Sequence, residues 1–442
     1  MGQIIFIVLL AGGFFYAFTK FKRIYENIRL GKDYELVQNS SERWRNTFLV
    51  AFGQKKMFKR WIPATLHAFI YVAFLFTQIE FIEIIIDGVA GMHRVFANPL
   101  GLIYTLLINT IEILSLLALI ATVIFLWRRN LLKIPRFHKP EMKGWPTLDG
   151  NIILYLEILL VVSIFMMNGA DTLLQKIDPA NYPDTGHLVL STWFGNQFLT
   201  GFDQSSLSII ERTGWWLHFL TVLGFLNYLP ISKHLHIFLA FPNVYFANLR
   251  SRGEMNNMPE IMNEVKSMMG LIPEGDMEAD MGAELPEFGA KDIFDLKWKN
   301  ILDAYSCTEC GRCTSVCPAN LTGKKLSPRK ILMDIRDRAE EVGKNIQSGQ
   351  NSKDAYDDGK SLFDYISKEE LHACTTCNAC VEACPIMINP MEPILEMRRY
   401  EILTESAGPA DWLPMFTSIE NSGSVWQVPD EREKWMKEYN EA

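Results

Sequence analysis

The chain has 442 residues, enough for two or three structural units, with 43 Lys and Arg against 51 Asp and Glu and a formal net charge of −8. That acidity argues against nucleic-acid binding, which calls for a basic surface, and reads as ordinary solubility. The 49% hydrophobic content is unevenly spread: apolar residues crowd the first 250 positions, whereas all eight cysteines lie from Cys307 onward.

Five stretches of the first half are long and apolar enough for a membrane span, which takes about 20 helical residues. They are 3–19, 62–86, 99–127, 151–170 and 213–232. The first has no basic residue ahead of its apolar run and no small-residue cleavage site behind it, unlike a signal peptide. Lys and Arg gather in alternate loops, 20–60 and 128–143, while 87–98 carries only Arg94 and 171–206 only Lys176. Positive residues accumulate on the cytoplasmic side. The expectation is therefore a multi-pass protein of the bacterial inner membrane, N-terminus outside and everything after Lys233 cytoplasmic.

His67 lies near the cytoplasmic end of the second span, and His236 lies just past the fifth on the same side. Two imidazoles at one depth can clamp a haem iron from both faces. His218 precedes His236 by eighteen residues, five turns and ~27 Å of continuous helix, so it faces the same way but cannot serve the same iron. His234, rotated by roughly 160° from that face, reads as interfacial, with Pro230 as a candidate kink. Glu80 and Glu83 in the second span, Glu112 in the third and Glu157 in the fourth are costly in a bilayer; such groups serve protons or substrates, or bond a neighbouring helix. Glu80 and Glu83 are the candidates for quinol and proton chemistry, beside His218 and His93 in the outer half. Beyond the spans, 258–269 predicts a short amphipathic helix, and 273–289 reads as a solvated acidic linker.

The cysteines form two groups, Cys307, Cys310, Cys313, Cys317 and Cys374, Cys377, Cys380, Cys384, each followed by proline. Both read C-x2-C-x2-C-x3-C-P, the spacing of 4Fe–4S ligation in two-cluster ferredoxins, where the fourth cysteine serves the other cluster. Cluster 1 then takes Cys307, Cys310, Cys313 and Cys384; cluster 2 takes Cys374, Cys377, Cys380 and Cys317. Zinc also accepts four cysteines, but usually as paired C-x2-C knuckles separated by a loop. Ser327-Pro328 opens a helix between the motifs, and Ser367 with Glu370 makes a capping box before the second.

Residues 1–250 resemble the gamma subunit of respiratory nitrate reductase and its relatives in membrane-bound heterodisulfide reductases, on Thr65-Leu66-His67-Ala68, His218 and His236. The resemblance implies five helices, an outside N-terminus and haem b between the second and fifth. It departs at Thr77, where the nitrate-reductase pattern has a second histidine; a second haem would have to use His218 with His93. Residues 295–400 resemble the alpha-helical ferredoxin domain of heterodisulfide reductase C-type subunits, on Cys310-Gly311-Arg312-Cys313, Cys317-Pro318-Ala319 and Thr322-Gly323-Lys324-Lys325-Leu326-Ser327-Pro328. In those families a CCG-type iron–sulfur subunit or a flavoprotein completes the chemistry, and this chain has no CCG motif.

The expected architecture is all-α: a five-helix transmembrane haem b domain over 1–250, an acidic linker over 251–290, an alpha-helical ferredoxin domain over 291–400 and a tail over 401–442. Its expected function is electron transfer between quinone, haem b and two 4Fe–4S clusters, to or from a cytoplasmic partner. The competing reading is a membrane anchor or redox sensor without quinone chemistry.

Overall fold

The computed structural model describes residues 2–251, 253–271, 287–349, 355–426 and 434–441. Among these the chain is helical, and no strand is present beyond an isolated bridge between Lys32 and Lys297. Four helices are long and apolar enough to cross a membrane: α1 (Gly2–Ile28), α2 (Trp61–Ala90), α3 (Leu102–Asn130) and α4 (Trp145–Ile177). Their ends follow local chemistry. Gly91 takes the left-handed conformation and stops α2, its N–H returning to the Asp87 carbonyl. Gly101, also at positive φ, separates a short turn over Ala97–Leu100 from α3, so the third span starts later than its hydropathy suggests. Pro146 sits in the first turn of α4, where a missing N–H costs nothing.

A fifth long helix, α5 (Gln204–Tyr228), makes the most extensive packing of the bundle, against α4. Glu211, Arg212 and a Ser- and Gln-rich first turn keep it out of the apolar group. The α4–α5 approach depends on Gly214, where a Cβ would stand 2.7 Å from the Met167 backbone nitrogen. Small residues at such crossings let membrane helices come close enough for dispersion contacts. On its other side α5 packs Phe219 against Phe6 of α1, ring centroids 4.2 Å apart. The far face of α1 leaves Ile4, Val8, Phe15 and Phe18 exposed, an apolar surface of the kind a bilayer covers.

The α5 helix does not continue through Pro230. Leu229–Ile231 and Lys233–Leu235 are separate 3-10 turns, and α6 (His236–Tyr245) starts anew. The phase and distance argument relating His218 to His236 therefore fails, because it assumed one helix. His234, expected at the interface, is half-buried, its ring 4.8 Å from that of Phe225 and 5.5 Å from that of His236.

The predicted amphipathic helix forms over Pro259–Met268. Most of the acidic stretch 273–289 lies outside the described residues. The C-terminal half is built on α7 (Trp298–Ser306), α8 (Pro328–Gln347) and α9 (Met391–Arg399). Its core includes Ile301, Leu302, Ile331, Ile335, Val342 and Ile394, and also Ile24 and Ile28 of α1 and Leu235. Each buried aliphatic side chain contributes about 1.5–3 kcal/mol, which explains why α1 runs to Ile28 although its apolar run ends near Thr19. The fully buried Arg338 is held by Asp292 at 2.6 Å and Asp358 at 2.7 Å, so its charge is compensated where it lies.

Candidate redox sites

The two cysteine motifs adopt one backbone design. Glu309 and Thr376, each just before the second cysteine, have φ of +54° and +53°; Gly311 and Asn378, each just after it, have φ of +68° and +59°. Gly and Asn are the residue types that enter this region most easily. The reversal aims backbone N–H groups at sulfur: Glu309 N lies 3.4 Å from Cys307 Sγ and Thr376 N 3.4 Å from Cys374 Sγ. The chain then gathers Cys307, Cys310, Cys313 and Cys384 around a small cavity of about 30 Å³, which Cys380 also touches. Cys317, Cys374, Cys377 and Cys380 border a second, of about 20 Å³. Among the described residues no three Cys, His, Asp or Glu side chains converge closely enough to hold a single metal ion. Four sulfurs around an open volume suit a cubane better than a lone zinc. Burial pushes the Cys307 thiol up to about 12 and Cys384 to about 11, so these sulfurs become ligands by exchanging a proton for metal.

The first cavity faces the membrane bundle and the second faces out. Arg312, inside the first motif, donates to the carbonyls of Lys56 and Met57 just ahead of α2, and Arg60 donates to Ser315 Oγ at 3.0 Å. Glu309 pairs with Lys233 at the end of the α5 connection and with Arg336 of α8 at 2.8 Å. Arg329, fully buried, joins Glu141 at 2.7 Å and the Arg136 carbonyl, both in the α3–α4 connection. In the second motif, by contrast, Cys377 is exposed.

Two histidines lie close to the first motif's contacts, His236 bonded to the Lys233 whose side chain pairs with Glu309. The imidazoles of His67 and His236 stand with ring centroids 6.4 Å apart. The His236 Nδ1–H donates to the Lys233 carbonyl at 3.1 Å, and His67 Nδ1 lies 3.1 Å from Gln54 Oε1, an acceptor. Each ring therefore carries its proton on Nδ1 and leaves the Nε2 lone pair free, the tautomer that a metal-bound histidine adopts. Burial lowers the affinity of His236 for a second proton. An iron with an imidazole nitrogen about 2 Å away on each side puts two ring centres about 6 Å apart. The pair fits a six-coordinate haem iron. Gln54 was not singled out from sequence; it sits in a loop at φ +51°, and no local pattern marks it as a partner of His67.

The outer half is arranged differently. Arg94, an outer-loop residue by sequence, folds back into the bundle with positive φ and is buried. Its guanidinium meets Glu80 at 3.4 Å, Glu83 at 3.8 Å and Asp171 at 3.4 Å, and donates to Asn168 and Tyr104. Glu83 also accepts from the Tyr104 hydroxyl at 2.7 Å and from Phe96 N at 2.9 Å. Glu80 and Glu83, the candidates for quinol chemistry, both meet Arg94 here, with Glu80 Oε2 left without a hydrogen-bond partner. His93, the candidate partner of His218, has its Nε2 2.9 Å from Asp171 and its Nδ1 3.1 Å from Arg212. Glu112 anchors the 189–194 helix by accepting from Ser191 and from the Leu190 and Ser191 N–H groups.

His218 stands apart from both groups. Its Nδ1 lies 3.4 Å from the Leu160 carbonyl and 3.2 Å from Ser163 Oγ, with no histidine opposite it. It borders, with His234 and Glu157, a cavity of about 300 Å³ between the helices.

Comparison with known proteins agrees with the cysteine geometry. Residues 306–388 match a 4Fe–4S dicluster domain. A probable iron–sulfur-binding oxidoreductase, FadF, of Bacillus subtilis is 29% identical over 94% of this chain and 58% of its own length. An EtfAB:quinone oxidoreductase of Syntrophomonas wolfei is 26% identical over 88% of this chain and 53% of its own length. A probable membrane-anchored ferredoxin of Chromohalobacter salexigens is 34% identical over 34% of this chain and 23% of its own. The chain thus spans little more than half the length of the first two relatives. No solved structure matches. With four helices apolar enough to cross a membrane and a dicluster domain beneath them, the chain is similar to iron–sulfur oxidoreductases that include membrane-anchored electron carriers.

Proposed function

We propose that the chain is the membrane-bound electron-transfer part of a quinone-linked iron–sulfur oxidoreductase, with five spans, one haem b and two 4Fe–4S clusters in series. The observation that carries the reading is the His67–His236 pair, 6.4 Å between ring centres with both Nδ1 atoms engaged. Haem and clusters, when bound, supply one-electron carriers. The residues do the rest. His67 and His236 would hold a haem iron, and the four cysteines of each set would hold a 4Fe–4S cluster. Arg312 ties the first motif to the foot of α2, so the inner carriers stay at fixed separation. The exposed Cys377 edge is where a soluble partner exchanges electrons, a CCG-type iron–sulfur protein or a flavoprotein.

The orientation rests on charge. The Lys- and Arg-rich connections before α2 and after α3 are the ones that touch the cysteine domain, through Arg60 and Arg136, which supports a cytoplasmic location for that domain in a bacterial inner membrane. The name of the Syntrophomonas relative favours quinone as the membrane substrate. The test is anaerobic reduction of the purified protein by menadiol. Haem absorbance should fall into its reduced form and cluster absorbance should bleach, whereas in His67→Ala the clusters should stay oxidised. Clusters that reduce equally fast without His67 would refute the pathway, and no reduction of any carrier in the parent would refute the quinone link.

A further inference from the structure

The cavity bordered by His218 has a defined shape and a mouth. One stripe of α2 (Ile70, Phe74, Thr77, Phe81), one of α4 (Glu157, Leu160, Ile164) and one of α5 face it. On α5 it runs from His218 to Leu229, eleven residues and so about 16 Å along the helix. Phe14, Phe74 and Phe238 line it while being exposed on the outside of the bundle, so it opens onto the lipid-facing surface. Its inner end reaches His234 and Ile237, next to the His67–His236 pair.

Two polar groups in it have unused capacity. His218 engages the Leu160 carbonyl and Ser163 through Nδ1, and its Nε2 has no partner among the described residues. Glu157, one helical turn before Leu160 on the same face of α4, makes no hydrogen bond or ion pair among the described residues. A carboxylate in a bilayer is costly, and one retained without a structural partner marks a place where protons or substrate are handled. Elsewhere in the bundle Glu80, Glu83, Glu112, Asp171 and Glu211 all have partners.

We propose that this cavity is the quinone site, with the ring held between His218 and Glu157 and the isoprenoid tail leaving through the phenylalanine mouth. This rests on the quinone-linked reading above and moves the site away from the Arg94 network. A quinol needs an acceptor at each hydroxyl and an apolar slot for its tail, which is what the cavity presents. On oxidation two O–H bonds break. One proton passes to His218 Nε2 and one to the Glu157 carboxylate. Quinol becomes quinone as its two electrons leave one at a time; a haem held by His67 and His236 and clusters held by the two cysteine sets would be the one-electron acceptors. Reduction of quinone runs the same balance backwards.

The test uses the full-length holoprotein in lipid nanodiscs, with 2-heptyl-4-hydroxyquinoline N-oxide as binding probe and menadiol as reductant. His218→Ala should weaken probe binding, read from the probe's own fluorescence, by about tenfold or more. Glu157→Gln should bind the probe nearly as the parent does and slow haem reduction by menadiol by about tenfold or more. Thr77→Phe, which fills the cavity and leaves both polar groups intact, should abolish binding. The dithionite-reduced haem spectrum should be unchanged in all three. Parental binding in both His218→Ala and Thr77→Phe overturns the site. Two haems per chain, one lost in His218→Ala, would assign the cavity to a second haem and overturn it equally. If the parent holds no haem but binds the probe through His218, this site stands and the haem-linked pathway falls.

Discussion

The inner and outer ends of the bundle use the same residue types to opposite effect. Inside, His67 and His236 each engage one ring nitrogen and keep the other open, their ring centres 6.4 Å apart. Outside, His93 has both nitrogens engaged, and Arg94 draws Glu80, Glu83 and Asp171 onto itself until little capacity is left. The inner arrangement leaves ring nitrogens open; the outer one spends its polar atoms on ion pairs. Depth and residue type do not separate them. What separates them is the partner each remaining atom already has.

Four substitutions test that contrast, the largest effect first. Arg94→Met removes the cation that three buried carboxylates share, and stranding a buried charge costs about 3–5 kcal/mol. Thermal unfolding in detergent should show loss of most folded protein, and parental stability would mean that the outer ion pairs do not hold the fold together. Glu309→Gln breaks the clamp between the membrane connection and the cysteine domain, with an expected loss of about 2–3 kcal/mol. Burial opposes charge on Glu309, but Lys233 and Arg336 outweigh it and hold its carboxyl below the usual range. Burial also lowers Lys233, which leans on Glu309 to stay charged. A depressed carboxylate gives stability that is full above its unfolded value of about 4.3 and is lost as pH falls through the folded value. Acid unfolding should therefore lose part of its steepness in Glu309→Gln, and an unchanged acid limb would contradict the clamp.

Gly214→Val tests the helix approach that sets the α4–α5 spacing. A Cβ meets backbone there, so overpacking should cost about 1–3 kcal/mol and shift the thermal midpoint down without changing iron content. The smallest effect is expected for His93→Gln, a loss of about 1 kcal/mol with the haem spectrum intact. Disappearance of a haem signal would reverse the assignment of His93.

Much of this was legible in the chain. The cysteine spacing was the clearest signal, because short spacers leave few ways to face four sulfurs to one volume; the left-handed turns at Gly311 and Asn378 emerged only from the backbone. The first four spans were legible because a bilayer imposes a length and a composition. What escaped was long-range. The loop around Arg94 reads as an ordinary outer connection, and only its return past Glu80 and Asp171 makes it part of the interior. Pro230 signalled a kink, but the two tight turns over 229–235 reset the phase of everything after them, so His234 and His236 could not be placed by counting from His218. The polar end of α1 gave no sign that Ile24 and Ile28 complete a core most of whose other members lie more than 260 residues away.

The central claim is that His67 and His236 share one iron. Its most direct test is the pyridine haemochrome and low-temperature optical spectrum of the purified protein beside His67→Ala and His236→Ala, with iron and acid-labile sulfide measured on the same samples. The account predicts one low-spin haem b per chain, lost in either variant, while the eight cluster irons expected from eight cysteines in two motifs remain in all three. A haem spectrum that survives in both variants would contradict it.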